Sequence, residues 1–150
     1  MKNAIKITGV VVLFLSVCAW TTPVMAQSQV GMIKNISGKV IVQRGETAIE
    51  AKVGDHLALT DTVITGEQGT AGIIFSDGTT FAVGPKTEFK LDGYAFEPGL
   101  NQYDFKVYLK QGSAIYNSGR IGKLAPEAVN LSTPRASVGI RGTRFLITVE

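Results

Sequence analysis

Basic side chains towards the carboxyl-terminal end of the chain are the strongest candidates for chemistry. Arg135, Arg141 and Arg144 cluster in sequence, and Arg120 and Lys123 precede them. A guanidinium group presents a planar fork of N–H donors that suits carboxylate or phosphate groups. The cluster is thus the best candidate in the sequence for a surface that binds an anionic ligand, a glycan or a partner protein, although solvated charge is the commoner arrangement. The alternative is scattered solvated charge, or one arginine in a structural ion pair.

Carboxylates offer a second chemistry, which is acid–base catalysis by a close pair. Asp55 with Asp61, or Asp77 with Glu88, could form such a pair in space. However, Asp55, Asp77 and Asp92 each lie next to glycine, where aspartate commonly caps a turn with its own side chain. We therefore predict structural turns rather than catalysis. The predicted turn residues are Gly54, Asp55, Asp77, Gly78 and Gly142.

Nucleophilic and metal chemistry lack the residues that they need. His56 is the only histidine of the sequence, and Cys18 is the only cysteine. A single histidine cannot form a histidine pair around a metal, and no G-x-S-x-G motif accompanies it. No phosphate-binding glycine loop is present either. The sequence therefore predicts no catalytic residue, no metal site and no cofactor.

Aromatic residues in consecutive predicted strands have two interpretations. They could form a stacking platform for sugars, or they could be core residues and cross-strand pairs, which is the commoner arrangement and the one that we predict. These residues are Tyr94, Phe96, Tyr103, Phe105, Tyr108 and Tyr116.

The first 26 residues have the layout of a secretory signal peptide. Lys2 and Lys6 precede an apolar run over 7–19, and Val24-Met25-Ala26 predicts cleavage after Ala26. This run is shorter than the roughly 20 residues that cross a bilayer. The alternative is a lipoprotein anchored through Cys18, although Val17 fits poorly where a small residue is expected. We predict a signal peptide over 1–26 and one domain over 27–150.

Cleavage would remove two lysines and leave 13 basic against 12 acidic residues, a net charge of +1. That balance argues against a nucleic-acid partner. It would also remove the only cysteine, so the exported domain must be held together by its core. We expect a periplasmic or secreted bacterial protein with no membrane span after cleavage.

Short strands separated by glycine-marked turns run through the exported part. Thr70–Leu91 predicts strand, type I′ turn at Asp77-Gly78, strand, corner and strand. Strict alternation over Tyr103–Leu109 predicts a half-buried strand. A turn is predicted at Gln111-Gly112, and Arg141-Gly142-Thr143 is predicted to be a tight turn joining two strands.

Helical periodicity is weak, since only Leu124–Asn130 predicts a single helical turn. The sequence therefore predicts an all-β fold after an N-terminal signal helix. We expect a twisted β-sandwich or partly open barrel of many short, mostly antiparallel strands.

The ordered set of these motifs resembles the FecR-like domain family, named for the periplasmic iron-citrate regulator of bacteria. The resemblance runs from about Gly31 to Val149, and the run Gly139–Phe145 resembles a subset of exported single-domain members. The other matching segments are Gly38-Lys39-Val40, Val53-Gly54-Asp55, Val63–Gly66, Gly69-Thr70-Ala71, Phe75–Thr79, Gly84–Phe89, Gln111-Gly112 and Thr133–Val138.

The resemblance implies an all-β extracytoplasmic domain, which in the regulators passes a signal from an outer-membrane transporter to a cytoplasmic sigma factor. Only Met1–Lys6 precede the apolar run, so we expect no cytoplasmic anti-sigma segment in this chain. The continuation V-x-x-G-x-V that family members often carry does not follow Val149, which predicts an unpaired strand edge.

We therefore expect a non-enzymatic interaction or sensor module of the bacterial envelope. Its expected partner is an envelope protein or glycan, with self-association through an edge strand as a further expectation. One alternative is a lone signalling component that works with a separate sigma-regulating membrane partner. Another is a glycan-binding or glycan-acting envelope protein.

Overall fold

The computed structural model describes residues 28–150, which are mostly strands. The predicted signal peptide, with its helix, lies outside the described residues. The strands are β1 (Gln29–Ser37), β2 (Val40–Arg44), β3 (Thr47–Glu50), β4 (His56–Ala58), β5 (Thr62–Thr65), β6 (Thr70–Phe75), β7 (Thr80–Val83), β8 (Glu88–Glu97), β9 (Gln102–Asn117), β10 (Val129–Ser132), β11 (Ser137–Gly139) and β12 (Arg144–Val149).

Helical structure in the described part is confined to short turns. The helix α1 covers Ile121–Leu124, and 3₁₀ turns cover Pro98–Leu100 and Pro126–Ala128. The 3₁₀ turn Pro126–Ala128 confirms the single helical turn predicted within Leu124–Asn130, whereas α1 was not predicted. Between residues 28 and 150, no helix has the length and apolar character needed to cross a membrane.

The long strand β9 organises the sheet because it pairs along both of its halves. Its first half pairs antiparallel with β8 and parallel with β10. Its second half lies between β7 and β12, antiparallel to both. The main path of the sheet runs β3-β2-β5-β8-β9-β7-β6-β1-β4, and β11 extends β10. The result is an open, curled, mainly antiparallel sheet, which confirms the predicted all-β class.

The two halves of β9 meet at Gly112, and the turn predicted there is wrong. The strand continues through Gln111-Gly112 without a break. Gly112 has φ +90°, and an added Cβ would lie 2.5 Å from the Thr87 Cα. Glycine is therefore required, because it alone adopts this backbone and fits under Thr87. The strand bends here from the β8 side of the sheet to the β7 side.

The core lies between the two halves of the curled sheet and is centred on aromatic rings. The Phe75 ring of β6 lies 4.9 Å from the Phe105 ring of β9 and 5.6 Å from the Tyr94 ring of β8. The Phe81 ring of β7 lies 4.9 Å from the Phe89 ring of β8. These contacts join strands from opposite halves, so burial of the aromatic faces closes the curl.

The hairpin predicted around Asp77-Gly78 is confirmed, but its turn type differs. β6 pairs antiparallel with β7, and Ile74 lies opposite Thr80. Gly78 N–H donates to the Phe75 carbonyl at 2.9 Å, and Gly78 alone in the loop has a positive φ, of 84°. A type I′ turn needs two positive φ angles. The loop is instead a longer one in which only Gly78 takes the left-handed region.

The hairpin predicted around Arg141-Gly142-Thr143 is wrong. β11 pairs with β10, whereas β12 pairs with β9, so the two strands on either side of Gly142 are not partners. Gly142 lies in a bend between them. A hairpin and a connection between non-adjacent strands have the same local sequence pattern here. Which of the two forms depends on the pairing of β12 with the distant strand β9.

Candidate functional site

The structure separates the four candidate arginines into different settings. Arg120 precedes α1 and stacks over the Phe96 ring, with 4.9 Å between its guanidinium carbon and the ring centroid. Arg135 is exposed in the turn between β10 and β11. Arg141 and Arg144 line one groove together. The predicted cluster is therefore reduced to a pair at the start of β12.

The groove lies between β12 and the β10–β11 pair, and we call it the C-terminal groove. Its volume is about 540 Å³. Apolar side chains form much of its lining, and Val138 is 50% exposed there. Its apolar residues include Leu131, Val138, Ile140, Phe145 and Ile147. Exposed apolar surface of this kind often marks a site of association.

One edge of β12 has no strand partner among residues 28–150. The other edge pairs with β9, where Ser118 N–H donates to the Thr143 carbonyl at 2.8 Å. Hydrogen-bonded and non-bonded pairs alternate along an antiparallel ladder. Residues 145, 147 and 149 therefore turn their backbone groups towards β9. The backbone groups of Arg144, Leu146 and Thr148 face the open edge.

The inner face of β12 is apolar, and its outer face carries the apolar Leu146 between the polar Arg144 and Thr148. Phe145, Ile147 and Val149 are half-buried against the core, and the Phe145 ring stacks on Tyr116 with centroids 4.9 Å apart. Leu146, on the opposite face, is 66% exposed. Natural edge strands usually carry charges, prolines or bulges that discourage pairing. The residues 145–149 of β12 carry neither a charge nor a proline.

Asp77 is the most connected carboxylate of the described part, and its contacts are structural. It is 1% exposed, and its carboxylate accepts hydrogen bonds from Thr79 N–H (3.1 Å), Thr79 Oγ1 (2.6 Å) and Ile121 N–H (3.1 Å). The Tyr94 hydroxyl lies 3.2 Å from Asp77 Oδ1 and accepts the Asp77 N–H at 2.8 Å. Burial and the Asp77 charge raise the pKa of Tyr94. Asp77 thus ties the β6–β7 loop to β8 and α1.

Among the other carboxylates of the suggested acidic pairs, Asp61 and Glu88 contact cations and Asp55 accepts a backbone N–H. Asp61 is 1% exposed and accepts from Arg44 Nε at 2.8 Å and from a second Arg44 nitrogen at 2.6 Å. The hydrogen bond to Asp61 raises the pKa of Arg44. Glu88 accepts from Lys110 Nζ at 2.9 and 3.1 Å. Asp55 accepts the Lys52 N–H at 2.7 Å, beside Gly54 with its φ of +93°.

Neither a metal cluster nor an acidic pair stands out as a reaction centre. Among residues 28–150, no group of three histidine, cysteine, aspartate or glutamate side chains could hold a metal ion. His56 is exposed in β4, and its backbone carbonyl accepts from Arg44 at 3.1 Å.

Sequence reasoning named some residues of this candidate site and missed others. It singled out Arg141 and Arg144 and expected an unpaired strand edge. It did not single out Phe145, Leu146 and Ile147, which give the open strand its apolar character. Their signal is visible in RFLITV, where Phe145, Ile147 and Val149 alternate with Arg144, Leu146 and Thr148 and predict a strand with one buried face.

Within residues 28–150, these features define a curled all-β domain with an open strand edge beside an apolar groove. A family model described as FecR protein matches residues 61–150 of the chain. The chain belongs to the FecR family. Part of it is also similar to a solved "Cell surface anchoring domain", with 32% identity over 41% of this chain and 82% of that one and a TM-score of 0.39. No curated protein matches the chain.

Proposed function

We propose that the protein is a non-enzymatic, extracytoplasmic interaction module of the bacterial envelope that binds a protein partner by strand addition at β12. The observation that carries this proposal is the open edge of β12 beside the C-terminal groove. An extended partner segment would continue the β12 ladder with its backbone and place alternate side chains at the groove. Arg141 and Arg144 would then attract acidic groups of the partner.

The state of the acidic side chains supports binding rather than catalysis. A general acid or base must reach the proton that it transfers. Asp61 and Asp77 are each 1% exposed and are occupied by structural hydrogen bonds. Glu88 is held by Lys110. These carboxylates stabilise the fold, so a role in bond chemistry would require their release from it.

The packing of the aromatic rings supports a protein partner over a glycan. A sugar platform needs exposed ring faces. Phe105 and Tyr116 are fully buried, and Tyr94, Phe96 and Tyr103 pack against the core. The apolar exposure is found instead on β12 and β11, where Leu146 and Val138 are accessible.

Two observations support the proposed location. The chain belongs to the FecR family, and Met1–Ala26 has the layout of a signal peptide. Cleavage after Ala26 would deliver residues 27–150 to the periplasm or beyond. Sequencing of the amino terminus of the protein purified from a bacterial envelope fraction should begin at Gln27, and an intact Met1 would contradict the proposed processing.

Photo-cross-linking in living cells tests the binding surface. The full chain carries a photoreactive amino acid at Thr148, whose backbone faces the open edge. The matched control carries it at Ala48 in β3. Ala48 is also exposed on an edge strand with outward backbone groups, because Ala51 N–H donates to the Val40 carbonyl at 2.9 Å. Adducts with an envelope protein are expected at position 148 and not at position 48.

A second substitution shows whether adducts depend on strand addition. Leu146→Pro removes an outward N–H while leaving the β9 ladder intact, since Leu146 does not bond to β9. It should abolish the adduct at position 148. Equal adducts at positions 48 and 148, or none at position 148, would refute the proposed surface.

A further inference from the structure

We propose that the strand added at β12 is the β12 strand of a second copy, antiparallel to the first, with Ile147 on the two-fold axis. This inference rests on the proposed function, because it names the partner of the same open edge. The two sheets would then continue into each other through one isologous contact. Four observations on β12 carry the proposal.

The first is the length of the open edge. β12 has six residues, whereas the edge strands β4 and β11 have three each and β3 has four. β3 also ends on the charged Glu50. A longer edge forms more intermolecular hydrogen bonds, and the stretch 145–149 of β12 carries no charge that would discourage pairing. Among the edge strands β3, β4, β11 and β12, β12 is therefore the best suited to pair with its own copy.

The second observation is the alternation of the backbone groups. With Ile147 on the two-fold axis, Ile147 lies opposite Ile147 of the second copy, and the numbers of any two opposed residues add up to 294. Leu146 then lies opposite Thr148 of the second copy, and both turn their N–H and C=O groups outward. A register shifted by one residue would set outward groups against inward ones and lose the ladder. The proposed register is thus one that the β9 pairing permits.

The third observation is charge complementarity at both ends. In this register Arg144 lies opposite Glu150 of the second copy, and Glu150 lies opposite Arg144 of the second copy. Neither residue forms an ion pair among residues 28–150. Opposite charges directly across an antiparallel pair are stabilising. A partner of the same sequence therefore supplies the counter-charge at each end.

The fourth observation is the match of side chains along the inner face. Phe145 would lie beside Val149 of the second copy, and Ile147 beside the same residue of its partner. All three are only half-buried in one copy. The added strand would carry its own apolar face to the mouth of the C-terminal groove, where Val138 is 50% exposed. Burial of these faces drives association in the way that a sheet core does.

Disulfide trapping tests the register in the full chain, with Cys18→Ser to remove the only native cysteine. Ile147→Cys should form a disulfide dimer under mild oxidation, since Cα atoms of a directly opposed, non-hydrogen-bonded pair lie about 4.5 Å apart. Leu146→Cys alone should not form a disulfide, because residue 146 of one copy and residue 146 of the other are diagonal neighbours whose Cα atoms lie more than about 7 Å apart. A mixture of Leu146→Cys and Thr148→Cys should form a heterodisulfide. The control is Ile49→Cys, an exposed isoleucine on the edge strand β3, which should stay reduced.

Charge exchange tests the pairing without a cysteine. Analytical ultracentrifugation of the full chain should show a monomer–dimer equilibrium. Arg144→Glu should weaken the dimer about tenfold, since it sets like charges against each other at two sites. Glu150→Arg should do the same, and the double variant should restore the dimer. If both single variants lose the dimer and the double variant does not restore it, the proposed register is wrong.

The outcomes separate this inference from the proposed function. A chain that stays monomeric at every concentration, with no Ile147→Cys disulfide, overturns the second copy as partner. The proposed function would then depend on the cross-link at Thr148 to a different envelope protein. A dimer trapped through Ile49→Cys or Leu146→Cys instead of Ile147→Cys also overturns the inference.

Discussion

Replacing Asp77 by alanine should destabilise the fold strongly, because the side chain holds a buried set of donors. The variant would leave two backbone N–H groups, of Thr79 and Ile121, without their acceptor. Each buried orphaned donor costs about 1–3 kcal/mol, so the free energy of unfolding should fall by about 4 kcal/mol. Native domains have only about 5–15 kcal/mol in total. The variant should therefore lose a large fraction of its stability while a urea transition remains measurable.

Urea denaturation, monitored by far-UV circular dichroism, measures this loss of stability. With a slope of about 1.5 kcal/mol per molar urea, a loss of about 4 kcal/mol lowers the midpoint by about 2.7 M. Asp77→Asn keeps one acceptor oxygen and should lose about half as much. The control is Asp92→Ala, since Asp92 also precedes a glycine but is exposed in a surface ion pair with Lys90. It should change stability by less than about 0.5 kcal/mol. An Asp77→Ala midpoint within about 0.3 M of the unmodified chain would refute the reasoning.

Three further variants follow from buried or constrained groups. Arg44→Met should lower the free energy of unfolding by about 2 kcal/mol in urea titration, because it strands a buried carboxylate whose partner was partly exposed; an unchanged midpoint would contradict it. Burial raises the pKa of Tyr94, so the unfolded chain loses this proton near pH 10 while the folded chain keeps it. Stability should therefore be full below about pH 10 and decline above it, and Tyr94→Phe should flatten that decline; an equal decline in both would contradict the assignment. Gly112→Ala should cost at least about 2 kcal/mol, because φ is +90° and its Cβ would overlap the neighbouring strand. Gly142→Ala, where an added Cβ meets open space, should change the free energy of unfolding by less than about 0.5 kcal/mol in the same urea titration.

Local chemistry explains which parts of the fold were predictable. The β6–β7 hairpin follows from apolar runs on either side of Asp77-Gly78, so its pairing is encoded within a few residues. Gly112 has the same local pattern as a turn glycine. It becomes a bend because Thr87, 25 positions earlier in the chain, closes over it. A one-dimensional pattern does not distinguish a strand that ends at a glycine from one that bends there.

The same distinction holds at the candidate site. The strand 144–149 was predictable from its β-branched and aromatic content. Its partner was not, because pairing with β9 rather than β11 depends on residues about 30 positions away. The Arg44–Asp61 pair likewise spans 17 positions and leaves no periodic signal. Arg141 and Arg144 remain candidate binding residues, and Arg120 is partly accounted for by its stacking on Phe96.

The continuity of β9 has a consequence for how the molecule comes apart. The same 16-residue strand β9 is hydrogen-bonded to β8 and β10 along one half and to β7 and β12 along the other. Both halves of the sheet therefore depend on one continuous central strand. Opening one half exposes the ladder of the other. The amide protons of Val107 and Ile115 should therefore exchange with solvent through one shared unfolding event. A load pulling on β12 would reach the far half directly through the covalent chain of β9.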